Sequence, residues 1–140
     1  MRILVDTNVF LDYLLKRENF DDADAFFRIC RKEKNRIYVT SISLRDIGYV
    51  IHQFSHNNAV AKEAQVTIYE MVSKVIGITA DDAIESLYSD MADYEDSLIV
   101  ESAKRETLDL IVTNNLKDFK NSDMPVLSPK QYNEISNSIA

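Results

Sequence analysis

The sequence is poor in glycine, proline and cysteine, and it contains no tryptophan. With only two glycines and two prolines in 140 residues, it does not have the composition of a collagen-like or low-complexity disordered chain. The single cysteine, Cys30, excludes an intramolecular disulfide bond. The hydrophobic segment of a secretory signal is also missing. Together these absences predict a protein of the reducing cytoplasm.

Long apolar runs are absent as well. No run approaches the roughly 20 residues that a membrane helix requires, so we expect no membrane partner. The remaining composition is that of a globular protein, with 46% hydrophobic residues. This length fits one folding unit, and we predict a single domain over residues 1–140.

Positive charge is also in deficit: 16 lysines and arginines face 23 acidic residues, which gives a net charge of −7. The overall field of such a chain repels nucleic acid, so a nucleic-acid function requires a local basic patch, a bound cation, or both. The densest basic group contains Arg28, Arg31, Lys32, Lys34 and Arg36. This group predicts either a helix end complemented by cations or a contact surface for a nucleic-acid backbone or a partner protein.

Short β-type segments alternate with helical segments along the chain. Ile3–Val5 is a short buried-strand pattern followed by the polar turn Asp6-Thr7-Asn8 and a helical pattern. Further strands are predicted at 36–40, 75–79, 108–113 and 126–127, with helices between them. This alternation predicts an α/β fold with three layers, α/β/α, around a central parallel sheet of four to five strands. The apolar residues Val60, Ala64, Ile68, Met71 and Val75 predict a core-facing helix that could also form part of a homodimer surface.

Carboxylates are predicted to converge at one edge of this sheet. Right-handed crossovers place the carboxyl ends of all strands together, which brings Asp6 and Asn115 to the same edge. Asp46 and Asp96, near the starts of helices entered from that edge, can join them. Two unit charges about 4 Å apart repel by about 4 kcal/mol at an effective dielectric of 20. A hard divalent cation removes this cost, and oxygen ligands favour Mg²⁺ or Mn²⁺.

A purely structural explanation of the same residues also exists. Asp6 and Asn8 are common in turns and at helix starts. Asp93 can cap a helix, while Glu95 and Asp96 are favourable in its first turn through the helix dipole. The acids therefore do not by themselves require a catalytic site.

Three stretches resemble the PIN-domain ribonucleases, and among them the small VapC-like toxins of bacterial toxin–antitoxin systems. They are Leu4–Asn8, Asp93–Ala103 and Ile111–Phe119, and their order and spacing together carry the resemblance. The resemblance implies a parallel sheet, an acidic pocket and Mg²⁺- or Mn²⁺-dependent cleavage of single-stranded RNA. It also implies a cognate antitoxin as a protein partner and a homodimer.

The acidic positions of the family can be carried over to this chain. The first falls on Asp6 and the third on Asp96, while Asp46 stands where the family usually has a longer glutamate. The fourth falls on Asn115, a neutral amide, so Asp93 or Asp118 could supply the missing carboxylate. Whether one or two metals bind is therefore left open.

The resemblance implies metal-assisted hydrolysis of a phosphodiester bond. Asp6 and Asp96 would hold a metal that activates a water molecule, and Asp46 would complete the pocket. Thr7, Asn8 and Thr113 would orient ligands or substrate. Arg28, Arg31 and Lys32 would contact a longer RNA or a partner subunit.

Two other functions share parts of this pattern. A phosphoacceptor domain also places acids around Mg²⁺ at strand ends, but it would need paired acids after the first strand and a lysine after a late strand. Thr113-Asn114-Asn115 has neither. A catalytically silent PIN scaffold that binds RNA or a protein remains an alternative because of Asp46 and Asn115.

Overall fold

The structure, a computed structural model, describes residues 1–139. Strands and helices alternate as the sequence predicts. In chain order they are β1 (Arg2–Val5), α1 (Thr7–Leu14), α2 (Phe20–Glu33), β2 (Arg36–Thr40), α3 (Ser41–Ser55), α4 (Asn58–Met71), β3 (Lys74–Ile76), α5 (Ala80–Leu87), α6 (Tyr94–Arg105), β4 (Leu110–Val112), β5 (Val126–Leu127) and α7 (Pro129–Ile139).

The five strands form one sheet in the order β3-β2-β1-β4-β5, and all neighbouring pairs are parallel. In the register of β1, Leu4 pairs with Tyr38 of β2 on one side and with Ile111 of β4 on the other. The α/β class and the central parallel sheet are therefore confirmed. Because all strands run the same way, their carboxyl ends share one edge of the sheet.

Helices cover both faces of the sheet, and each face has its own core. Residues that alternate along the strands point to opposite sides, as the pleat requires. Ile3 and Val5 of β1 pack in the larger core with residues of α1, α2, α3, α4 and α7. Leu4, between them, packs in a second core with Val100 and Ala103 of α6. The three-layer arrangement follows from strands that are apolar on both faces.

Some predicted boundaries are too generous. The third strand was predicted at 75–79, but Thr79 is the N-cap of α5 and forms a capping box with Asp82. The fourth strand begins at Leu110, because the backbone of Leu108 still donates to Ala103 at the end of α6. Val75 belongs to β3 instead of extending the preceding helix.

Across residues 1–139, none of the helices combines the length and the apolar character needed to span a bilayer.

Candidate functional site

A cleft of about 660 Å³ opens at the carboxyl edge of the sheet. Three helices begin at it, since the first residues of α1, α3 and α6 all line its walls. The amino end of a helix carries partial positive charge, so this arrangement partly offsets the negative charge of acidic side chains gathered there. The acids that line the cleft are Asp6, Asp46, Asp93, Glu95, Asp96 and Asp118.

Asp6 is fixed at the base of the cleft. It is only 5% exposed and follows β1 directly, where it caps α1 by accepting a hydrogen bond from the backbone N–H of Thr7 at 2.8 Å. Its other oxygen accepts from the hydroxyl of the fully buried Thr113 at 2.7 Å. Burial raises the pKa of Asp6, the two hydrogen bonds oppose that rise, and the charges of Asp118 and Asp93 add to it. The carboxylate is therefore oriented before any ligand arrives.

Asp96 lies close to the same charges. Partial burial and then the negative charges of Asp6, Asp93 and Asp118 raise its pKa from 3.8 to about 7. Asp93 is the N-cap of α6 and accepts the backbone N–H of Asp96 at 3.0 Å. Both burial and the neighbouring negative charges thus disfavour the ionised form of Asp96.

Asp46 lines the cleft but faces a different neighbour. Its Oδ1 accepts two hydrogen bonds from the guanidinium of Arg45, at 2.8 and 3.2 Å. It does not appear among the charges that raise the pKa of Asp6 or Asp96. The structure thus places Asp46 at the rim, with its charge shared with Arg45.

Asn115 and Asp118 both line the cleft, in the turn after β4. The backbone N–H of Asn115 donates to the hydroxyl of Thr113 at 3.0 Å, and that of Asp118 donates to the carbonyl of Asn115 at 3.0 Å. These bonds fold the chain so that Asp118 returns towards Asp6 and Asp96, whose pKa values it raises. Asp93 and Asp118, the two candidates for the missing fourth carboxylate, therefore both lie near enough to Asp6 and Asp96 to affect their pKa values.

A hydroxyl network, which the sequence pattern only partly indicated, connects α1 with α3. The hydroxyls of Thr7 and Thr40 both donate to Ser43 Oγ, at 2.8 and 3.0 Å. Thr40 also caps α3 by accepting the backbone N–H of Ser43 at 3.0 Å. The sequence alone does not reveal this junction, because Thr7 and Ser43 are distant along the chain. Asn8 is exposed at the cleft and accepts a long 3.4 Å bond from Arg17.

Asp12 is a buried acid near the site that the sequence analysis did not single out. It accepts a hydrogen bond from Asn114 Nδ2 at 2.9 Å, and Arg17 lies 3.9 Å away. Burial raises its pKa, while Arg17 and Asn114 lower it. Asp12 thereby ties α1 to the loop that carries Thr113. An acid within the apolar stretch Val9–Leu14 was the one available signal.

The donor chemistry of the cleft suits a hard divalent cation. Carboxylate and amide oxygens converge there, and such ligands favour Mg²⁺ or Mn²⁺. Within residues 1–139, no three carboxylate, histidine or cysteine side chains are grouped tightly enough to hold a metal as they stand. The residues able to contribute are Asp6, Asp93, Asp96, Asp118 and Asn115, with Asp46 at the rim.

The basic group lies away from this cleft. Arg28, Arg31 and Lys32 are exposed on α2. This helix leads into the amino end of β2, where the backbone of Arg36 pairs with Met1. The group is therefore at the opposite edge of the sheet from the acids.

A parallel sheet with an oxygen-rich acidic cleft at its carboxyl edge defines an α/β protein with a candidate metal site. The PIN domain profile matches residues 2–117, and the chain belongs to the PIN domain family. The family expected from the three sequence stretches is thus confirmed.

Several solved structures are similar in fold. The VapBC2 complex from Rickettsia felis, bound to a promoter DNA fragment, has a chain that is 20% identical, with a TM-score of 0.70 over 91% of this chain and 98% of that one. The VapBC-1 structure from nontypeable Haemophilus influenzae has a chain that is 17% identical. Its TM-score is 0.65, over 92% of this chain and 98% of that one. VapC20 of Mycobacterium tuberculosis, a sarcin-ricin loop cleaving toxin, is 13% identical. Its TM-score is 0.61, over 78% of this chain and 86% of that one. No curated protein sequence matched the chain.

Proposed function

We propose that this protein is a Mg²⁺- or Mn²⁺-dependent endoribonuclease that hydrolyses phosphodiester bonds of single-stranded RNA. The observation that carries the proposal is the convergence of Asp6, Asp93, Asp96 and Asp118 in one cleft at the carboxyl edge of the sheet. Burial and the three neighbouring acids raise the pKa of Asp96 there to about 7. Proteins retain such a costly cluster where a cation or a proton is needed for function. Membership of the PIN domain family supports the same activity.

Each residue has a distinct part in this proposal. Asp6 and Asp96, with Asp118 and Asp93, would hold the cation. A bound Mg²⁺ or Mn²⁺ would neutralise charge on the phosphate oxygens and lower the pKa of the attacking water. Thr113 keeps the carboxylate of Asp6 in one orientation through its 2.7 Å hydrogen bond.

The test is a cleavage assay on a single-stranded RNA with Mn²⁺ titrated from zero. Asp6→Asn and Asp96→Asn should abolish cleavage while the fold, followed by circular dichroism, is retained. Asp90→Asn is the matched control, because Asp90 is exposed and does not line the cleft. Full activity in Asp6→Asn would refute this site. Metal-independent RNA binding without cleavage by the unaltered protein would favour the silent scaffold.

We further propose that the protein is the toxin of a toxin–antitoxin pair and that it forms a homodimer. Structures similar in fold include several toxin–antitoxin complexes, which supports an antitoxin as partner. The homodimer is supported by large apolar side chains that α3 and α4 leave exposed, among them Tyr49, Phe54 and Tyr69. Light scattering on the isolated protein should give twice the mass of one chain. The double variant Phe54→Ser, Tyr69→Ser should give the mass of a single chain.

A further inference from the structure

The cleft has a second wall whose chemistry differs from that of the acidic one. It consists of Ile42 at the start of α3, Ile78 before α5, and Tyr94, Leu98 and Ile99 of α6. Two of these side chains are open to solvent, Ile42 at 37% and Tyr94 at 44%. An apolar and aromatic surface beside a few polar groups is typical of a pocket that receives an organic ligand.

Tyr94 is held in place within this wall. It is the first residue of α6, directly after the cap Asp93 and two residues before Asp96. Its hydroxyl donates to the backbone carbonyl of Ala83 in α5 at 3.4 Å. An aromatic ring at a helix start, exposed beside the cleft, can act as a stacking platform for a base.

Charge restricts what this wall can receive. Of the described residues lining the cleft, Arg45 is the one with a cationic side chain. Its side chain is 79% exposed while paired to Asp46 at 2.8 Å. A phosphate is repelled by the acids unless it lies beside Arg45 or a bound cation. An uncharged aromatic group has no such restriction.

We propose that this wall is a nucleobase site. One unstacked base of the RNA stacks on Tyr94 between Ile42 and Ile78, while Arg45 contacts a neighbouring backbone phosphate. The inference rests on the proposed function, because it takes single-stranded RNA as the substrate. The cleft of about 660 Å³ falls in the size range of pockets that enclose ligands as large as a nucleotide. Residues Tyr94 and Arg45 would then determine where along the strand the scissile phosphate is placed.

Binding of a fluorescein-labelled single-stranded RNA, measured by anisotropy with Asp6 intact and with Ca²⁺ in place of Mn²⁺ to suppress cleavage, tests the proposal. Tyr94→Leu should weaken binding by about 5- to 150-fold, the range for loss of one stacked base. Tyr94→Phe should stay within about twofold, because it keeps the ring. Tyr88→Leu is the matched control, since Tyr88 is 82% exposed and lies outside this cleft. Arg45→Gln should lower the salt slope of binding by about one.

An abasic scan of the RNA supplies the second half of the experiment. Removing the base at one position should weaken binding to the Tyr94-containing protein by the same factor, and should have no further effect with Tyr94→Leu. Unchanged affinity in Tyr94→Leu, or an abasic effect that persists in it, would overturn the nucleobase site.

The two proposals fail in different ways. Tyr94-dependent binding by a protein that never cleaves RNA would refute the nuclease and retain the nucleobase site. Cleavage that is unchanged by Tyr94→Leu would refute the nucleobase site and retain the nuclease.

Discussion

Replacing Asp96 by asparagine should stabilise the metal-free protein at high pH. The folded state raises the pKa of Asp96 from 3.8 to about 7, because the group is partly buried and surrounded by other carboxylates. Between these two pKa values the folded state binds a proton that the unfolded chain releases. The unaltered protein therefore loses stability as the pH rises through this window, and the loss is complete above pH 7.

The magnitude follows from the shift. About three pKa units correspond to a ceiling of about 4 kcal/mol, at about 1.36 kcal/mol per unit. Because Asp96 is partly exposed, solvent screening reduces this to about 1–3 kcal/mol. Asparagine in the first turn of α6 also forfeits about 0.3–1 kcal/mol of helix-dipole stabilisation. The combined penalty of desolvation and repulsion is larger, so Asp96→Asn should raise the free energy of unfolding at pH 8 by about 1–2 kcal/mol.

Urea unfolding with a chelator at pH 4 and at pH 8 measures this difference. The two proteins should be close at pH 4, where Asp96 of the folded protein is protonated and neutral, and should separate at pH 8. Saturating Mn²⁺ should reverse the order, since a ligand at 100 times its Kd stabilises the protein that binds it by about 2.7 kcal/mol. Asp90→Asn should follow the unaltered protein throughout. Equal stabilities at pH 8 without metal would refute the proposed repulsion.

Three further perturbations test the surroundings of the site. Asp118→Asn should weaken Mn²⁺ binding by roughly tenfold or more, whereas Asn115→Asp should change it little, because a nearby carboxylate already supplies the charge; calorimetric titration that shows no effect of Asp118→Asn would contradict this. Replacing both Arg31 and Lys32 by glutamine should weaken binding of a long RNA modestly and flatten the salt dependence of that binding. Cleavage of a very short oligonucleotide should be unaffected. A large loss of cleavage on the short substrate would show that this basic group acts in the cleft. Asp12→Leu should lower the free energy of unfolding by about 1–3 kcal/mol, because the half-buried amide donor of Asn114 loses its acceptor. Asp12→Asn keeps an acceptor and should cost less. Equal urea midpoints for the two variants would count against this account of the tie between α1 and the loop after β4.

The sequence by itself determined the elements of the fold, the direction of the strands and the family. The alternation of short β-type and helical patterns predicts the parallel sheet that the structure contains. The apolar run Ile3–Val5 forms β1, and Asp6 stands at its carboxyl end. These features depend on hydrogen bonds and side-chain periodicity between near neighbours, which is why a single sequence is enough to predict them.

The tertiary structure alone decided which of the candidate carboxylates interact electrostatically with one another. Asp93 and Asp118 act on Asp6, and all three of these acids act on Asp96, because α6 and the turn after β4 pack at the same edge. Asp46 is paired with Arg45 instead. The contact of Asp12 with the loop after β4 joins segments far apart in the chain. Such placements depend on how distant elements pack, and desolvation and mutual repulsion act only once those elements are in place.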